Sequence, residues 1–223
     1  MKIAVIGTGK TGGEVLDLLG EEQIVGPFDS AHPPTVETLK PADVAIIFVP
    51  GEAVNDILDT VLSSGVAAAW GSTGYEWPHE KLDTQLKEKN ISWMRASNFS
   101  LGMNIMRRCL QIVGKGSEML DQPTFHIHEV HHTNKQDAPS GTAISWKKWL
   151  GKEADITSER RGDVKGIHQL KMETTVESIE LKHRANDRAV FAEGALWAAK
   201  QLLNESVSAG FHTMETLFDQ KMD

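Results

Sequence analysis

Cysteine is all but missing: Cys109 is the only one in 223 residues. No intrachain disulfide can staple this fold, and the chain is expected in a reducing cytoplasm. Basic residues are also in deficit. The 31 acids against 23 bases leave a formal charge of −8 with no long Lys/Arg run, which excludes an extended surface for a phosphate backbone. No run approaches the ~18 apolar residues of a membrane-spanning helix. Met1-Lys2 leads straight into Ile3–Ile6 and a glycine turn, so no secretory leader is expected. Internal repeats and low-complexity tracts are lacking too. What remains, 40% hydrophobic and 24% charged, is an ordinary globular composition, long enough for one large domain or two small ones.

The first hundred residues alternate strand and helix. Lys2–Ile6 is a β-branched run that reads as a buried parallel strand. It meets Gly7-Thr8-Gly9-Lys10-Thr11-Gly12, after which Val15, Leu16 and Leu19 give a helical stripe. A strand, a G-x-G-x-x-G turn and a helix form the context of a dinucleotide-binding fingerprint. A second strand over Gln23–Phe28 ends at Asp29, where a carboxylate can accept hydrogen bonds from an adenosine ribose. Ala4–Thr11 also fits a looser A-x-x-x-x-G-K-T phosphate loop. That reading leaves almost no strand before the loop and finds no acid after Asp43–Val49 to hold Mg²⁺. Further strands are expected at 42–49, 66–70 and 91–96, the last two ending in Gly71-Ser72-Thr73-Gly74 and Ser97-Asn98-Phe99-Ser100. Five strands alternating with helices imply an open parallel sheet, with ligands at the carboxyl ends of its strands. Either of the last two loops alone is equally readable as turn chemistry.

After Ser100 the pattern changes. A helix is expected from about Ile105 to Gly114, then a strand over Thr124–His132. Three more strands fall between Ile156 and His183, with Arg161–Lys165 read as a hairpin turn and another turn near Val176. Hairpins predict an antiparallel sheet and a second domain. A helix over Arg188–Leu203 then leads back to the first. The expected division is 1–100 plus 188–223 for the dinucleotide-binding domain and 101–187 for a substrate-binding and oligomerisation domain.

The richest chemistry lies in Glu129–Ala143, EVHHTNKQDAPSGTA. A strand delivers His131 and His132 to a loop bearing Lys135, and the loop closes on a helix start at Gly141-Thr142, whose free N–H groups favour anions. An imidazole and an ammonium beside an anion site point to acid catalysis on a carboxylate-bearing substrate. The cluster His126, His128, His131 and His132 also leaves a metal site open. On a strand, His126, His128 and His132 share one face and His131 points to the other. No third ligand for the first pair is fixed by the sequence, and polar residues on an exposed sheet face or at a subunit contact are the favoured reading of them.

This fifteen-residue run is similar to the signature of the 4-hydroxy-tetrahydrodipicolinate (dihydrodipicolinate) reductases. The resemblance continues through GSTG at 71–74, SNFSLGMN at 97–104, RRGDVKGIH at 160–168, IELKHRA at 179–185 and FAEGALWAAKQL at 191–202. It implies a Rossmann-type α/β domain with a second α+β domain. It also implies NAD(P)H-dependent reduction of 4-hydroxy-tetrahydrodipicolinate in lysine and diaminopimelate biosynthesis, by a homotetramer. By resemblance His131 is the proton donor, Lys135 the catalytic lysine, and His132, Gly141 and Thr142 hold the carboxylates of a small dicarboxylate substrate. Gly7 to Gly12, Asp29, Gly71, Ser72, Thr73, Ala96, Ser97, Asn98 and Phe99 match cofactor contacts. No metal is implied.

The chain departs from the family in length, with losses after the second strand and around residues 150–160. Lys10-Thr11 stand where the family more often has Arg-Met, in a turn one residue shorter. No Arg or Lys follows Asp29 through Pro34, so NADH is favoured over NADPH. The rival readings are a reductase of the same architecture acting on another imino or amino acid, and a metal-dependent hydrolase built on His126–His132.

Overall fold

A computed structural model describes residues 1–222. Its strands are β1 (Ile3–Ile6), β2 (Ile24–Phe28), β3 (Val44–Ile47), β4 (Ala67–Trp70), β5 (Ser92–Arg95), β6 (Thr124–His131), β7 (Asp155–Arg160), β8 (Ile167–Glu173), β9 (Ser178–Arg184) and β10 (Gly210–Thr213). The α-helices are α1 (Lys10–Asp17), α2 (Val36–Leu39), α3 (Val54–Ser64), α4 (His79–Glu88), α5 (Leu101–Gly116), α6 (Gly141–Leu150), α7 (Ala189–Leu202) and α8 (Met214–Met222). They fall into two compact units: Met1–Ser100 with the chain from Ala189 onward, and Leu101–Arg188.

The first unit is a parallel sheet in the order β10-β5-β4-β3-β1-β2. β1 and β3 are buried on both faces, which is why they read as continuous apolar runs rather than alternating ones. One face packs Ile6, Ile47, Trp70 and Trp93 against Leu39, Val61 and Leu82 from α2, α3 and α4. On the other, α7 lies along β3, β4 and β5 and against α1, and Ala192, Ala195, Ala198 and Ala199 bring it close.

The sheet has six strands, where the pattern predicts five. β10 is only Gly-Phe-His-Thr, with one large apolar side chain. It is held by long-range pairing with β5 and by burial of Phe211, whose N–H donates to Asp83 Oδ1 at 3.0 Å. Nothing local in the sequence announces it.

The second unit has a four-stranded sheet, β7-β6-β8-β9, covered by α5 and α6. Its core joins Ile127 and Leu170 to Met103, Leu110, Trp146 and Leu150. Here the expectation of a hairpin at Arg161–Lys165 is corrected. β6 lies between β7 and β8, parallel to the first and antiparallel to the second. The 161–166 segment therefore crosses the end of β6, and the sheet is mixed. Turn-like composition is a local signal, whereas the choice of pairing partner is not. The turn near Val176 does join an antiparallel pair, β8 and β9, with Thr174 N–H donating to Glu177 O at 2.9 Å.

Candidate active site

In the first unit every strand runs the same way, so the segments after β1, β3, β4 and β5 share one sheet edge. Gly7 ends β1 with φ +90°, a conformation that favours glycine, and its N–H donates to Phe28 O at 2.8 Å. Thr8 and Gly9 are exposed, and a side chain at Gly9 would meet nothing within 4 Å. The backbone there is bare before α1 starts at Lys10. Thr11 is half-buried, and Gly12 sits so close to the turn that a Cβ would overlap Gly7 O. These are the three glycine roles of a pyrophosphate-binding turn: tight bend, open approach, close helix packing. Gly12→Ala is expected to destabilise the chain by about 1–3 kcal/mol, because backbone rather than a pliable side chain must give way. Urea unfolding at pH 7 checks this.

Asp29 follows β2. Its Oδ1 accepts from the N–H groups of Ala31 (2.9 Å) and His32 (2.8 Å). The His32 N–H, only partly opposed by burial, holds the carboxyl below its ordinary value. After β4, Gly71 packs on the Phe48 ring, Thr73 is exposed, and Ser72 is buried with no hydrogen-bond partner for its Oγ among the described residues. An orphan hydroxyl on this edge is a group left for a ligand or water to satisfy. After β5, Ala96 N–H bonds Trp70 O at 2.9 Å, Ser97 is exposed, Asn98 Oδ1 accepts from Ser100 N–H, and Phe99 is buried edge-on to Phe48. The expected cofactor residues thus cluster along one edge, and they fit a dinucleotide.

In the second unit, β6 changes character along one face. Phe125 and Ile127 contribute to the core, and two and four residues beyond Ile127 the same face carries Glu129 and His131. Register sets Glu129 between Ser158 on β7 and His168 on β8, and His131 beside Arg160. Glu129 is fully buried. Its Oε1 accepts from Ser140 N–H (2.9 Å), Ser158 Oγ (2.8 Å) and Arg160 Nη2 (3.3 Å). Its Oε2 lies 3.3 Å from His131 Nδ1 and 3.7 Å from His168 Nε2. Among the described residues neither Oε2 nor His131 Nδ1 has a hydrogen-bond partner. Burial works to raise the Glu129 pKa, but the hydrogen bonds from Ser140 and Ser158 outweigh it and the group stays low.

His131 is 7% exposed. Burial lowers its pKa, Glu129 opposes the shift, and Lys135 and Arg160 add to it. His168 lies 4% exposed between the His131 and Trp146 rings, 5.0 and 5.6 Å away between centroids. Burial, reinforced by His131, pushes it down to about 3, so it is neutral near pH 7.

The loop after β6 is tied back by Arg160, whose Nε donates to Lys135 O at 3.2 Å and whose Nη2 donates to Asp137 O. His132 is half-buried and accepts from Lys135 N–H through its carbonyl at 3.1 Å. Lys135 Nζ lies 2.7 Å from Asp137 Oδ1. Lys135 is the main cause holding the Asp137 carboxyl below its usual range, with slight opposition from burial and help from the backbone N–H groups of Asp137 and Gly141. Ser140 caps α6, its Oγ accepting from Ala143 N–H at 3.2 Å, with exposed Gly141 and half-buried Thr142 opening the helix. A carboxylate is thus already held where Lys135 meets the start of α6.

Residues 102–218 match a family model described as "Dihydrodipicolinate reductase, C-terminus". A 4-hydroxy-tetrahydrodipicolinate reductase of Alkaliphilus metalliredigens is 30% identical, covering 97% of this chain and 99% of its own length. The chain belongs to the 4-hydroxy-tetrahydrodipicolinate reductase family. A relative of the same name from Thermosipho africanus is 39% identical over 150 residues, 67% of this chain and 66% of that one. A dipicolinate-bound dihydrodipicolinate reductase from Paenisporosarcina sp. TG-14 superposes with a TM-score of 0.76 at 18% identity, over 97% of this chain and 98% of that one. It shares the fold. Members of this reductase family are NAD(P)H-dependent oxidoreductases.

The residues expected for acid catalysis and anion binding lie together in the second unit. The glycine turn and its companions lie together in the first. His126 and His128 lie elsewhere: His126 Nε2 and His128 Nδ1 each lie 2.9 Å from Thr157 Oγ1 on an exposed face, and His128 Nε2 is 3.6 Å from Glu159 Oε2. Among the described residues the cluster spaced for a metal is instead Glu129, His131 and His168, with donor atoms within 4.8 Å. A cation there would face the Arg160 guanidinium on the same carboxylate, so a proton suits the site better.

Sequence reasoning passed over Glu129, Ser158, Arg160 and His168. Alternation along β6 could have put Glu129 with His131. The other three depend on strand register.

Proposed function

We propose that this chain reduces 4-hydroxy-tetrahydrodipicolinate (dihydrodipicolinate) to tetrahydrodipicolinate with NAD(P)H, with His131 as general acid and Lys135 assisting. The observation that carries this reading is the Asp137 carboxylate held by the Lys135 ammonium and the Gly141 N–H. The same corner suits a substrate carboxylate, and buried His131 opens the same loop. When bound at the Gly7–Gly12 turn, the cofactor supplies hydride to an electron-poor C=N or conjugated C=C bond. The chain's own residues do the rest. Lys135, His132 and the N–H groups of Gly141 and Thr142 hold the substrate carboxylates, and the α6 N-terminus favours their charge. His131 protonates the carbon left electron-rich. Gly7, Thr8, Gly9, Lys10, Thr11 and Gly12 would cradle the pyrophosphate. Asp29 would take the ribose hydroxyls, and the loops at 71–73 and 96–99 would line the rest of the edge. The reading includes a homotetramer, carried from the family resemblance, and a cytoplasmic location, carried from the lone cysteine.

NADH and NADPH oxidation, with substrate generated in situ by a coupled synthase, tests this reading. Turnover is expected, and cofactor binding without turnover would move the substrate to another imino or amino acid. NADH is expected to give the higher kcat/KM, because ionised Asp29 repels a 2′-phosphate and no Arg or Lys follows it through Pro34. Asp29→Asn should move the NADH/NADPH ratio about tenfold toward NADPH. An unchanged ratio would remove Asp29 from the ribose site.

A further inference from the structure

Burying a carboxylate oxygen without a partner is costly, yet Glu129 leaves Oε2 bare while Oε1 takes three donors. The atom opposite is a second orphan, Nδ1 of His131, 3.3 Å away and equally buried. A proton on Nδ1 and a small rotation of the ring satisfy both at once. We propose that Glu129 is the positioning residue for the acid: its Oε2 accepts a hydrogen bond from Nδ1–H of His131, fixing the ring and leaving Nε2 as the atom that gives up its proton. Glycine at 166 keeps Nε2 accessible, since a Cβ there would stand only 3.3 Å from it. In the step itself the proton on Nε2 passes to the substrate carbon, and the imidazole is left neutral, its remaining proton on Nδ1 and still donated to Glu129 Oε2.

The other charged groups around His131 cannot take this role. Lys135 and Arg160 disfavour an imidazolium, and Asp137 is taken up by Lys135. His168, 3.7 Å from the same Oε2, is neutral and competes only weakly for it. Through Oε1 the same carboxylate holds Ser140 and Arg160, and Arg160 holds the backbone of Lys135 and Asp137. One buried side chain thus aligns the acid and the loop that carries the lysine.

The proposal rests on His131 as the acid, and its test separates the two. Glu129→Gln keeps an oxygen for Ser140, Ser158 and Arg160 but turns an amide NH₂ toward Nδ1, which must then accept. The expected result is a kcat about ten- to a hundredfold lower, with KM for substrate and cofactor within about twofold. An acid must be protonated to act, and losing an opposite charge at this range lowers its pKa by about one unit or more. The alkaline limb of kcat should therefore move down by that amount. Glu129→Asp should restore part of both. ¹⁵N NMR of labelled histidine reads the pair without turnover: neutral His131 should carry its proton on Nδ1 in the wild type and on Nε2 in Glu129→Gln. A wild-type Nε2–H tautomer overturns the proposal, as does a Glu129→Gln enzyme with an unmoved limb or a loss confined to KM. If His131→Gln itself turns over normally, the acid reading falls, whatever the NMR shows of the pair.

Discussion

His131→Gln should lower kcat by about 10²–10⁴, the usual contribution of a positioned general acid, while leaving NADH binding unchanged. The residue is 7% exposed at the end of a strand whose register is fixed on both sides, so glutamine removes the proton source more than the fold. Its neighbourhood is tuned by opposing effects. Burial lowers its pKa, Glu129 pulls the other way, and Lys135 and Arg160 add to the fall. The loss should therefore fall on kcat. At Lys135, whose Nζ meets a carboxylate directly, truncation should fall on KM as well. Steady-state kinetics of the variant, with cofactor affinity from fluorescence titration, decides the matter. A loss under about tenfold, or one confined to KM, would make His131 a binding residue and send the search for the acid elsewhere.

The parts of this molecule legible in its sequence are those whose signal is local. Strand, glycine turn and helix sit within twenty residues at the start of the chain, and Gly7 and Gly12 have steric reasons visible in the structure while Gly9 leaves the backbone open. The N-cap at Ser140 and the Lys135 loop are equally local. What escaped depends on contacts distant in sequence. β10 exists because Phe211 fills a gap in a core built from residues over a hundred positions earlier. The 161–165 segment has hairpin chemistry but crosses β6, because β6 pairs on both sides. Ser158, Arg160 and His168 join the site only through that pairing. The two histidines that looked most like a metal pair, His126 and His128, face away from the buried cluster, an alternation the sequence does show.

The largest effect on stability is expected from acid and His168. Its pKa is near 6.5 when unfolded and about 3 when folded, chiefly through burial and then through His131. A group whose folded pKa is depressed leaves stability intact above the unfolded value. As pH falls below 6.5 the unfolded chain takes up the proton first, and stability drains until the folded group also titrates near 3. At about 1.4 kcal/mol per unit the full window is worth on the order of 5 kcal/mol, about half of a typical domain's stability. Buried His131 and half-buried His183 are shifted the same way and steepen the slope, so wild type alone does not isolate the effect. His168→Gln does, because it keeps an amide near Ser140 Oγ and Glu129 and carries no titrating proton. At pH 7 the variant should be less stable than wild type by about 1–3 kcal/mol, having lost a buried polar contact and ring packing on Trp146. By pH 4 the wild type should have lost on the order of 3 kcal/mol more than the variant, and the two curves should meet or cross. Urea unfolding of both proteins between pH 7 and pH 4 measures the gap at each step. Parallel curves across that window would mean that His168 takes its proton in the folded state at an ordinary pH, through an opening of the β6–β8–α6 core.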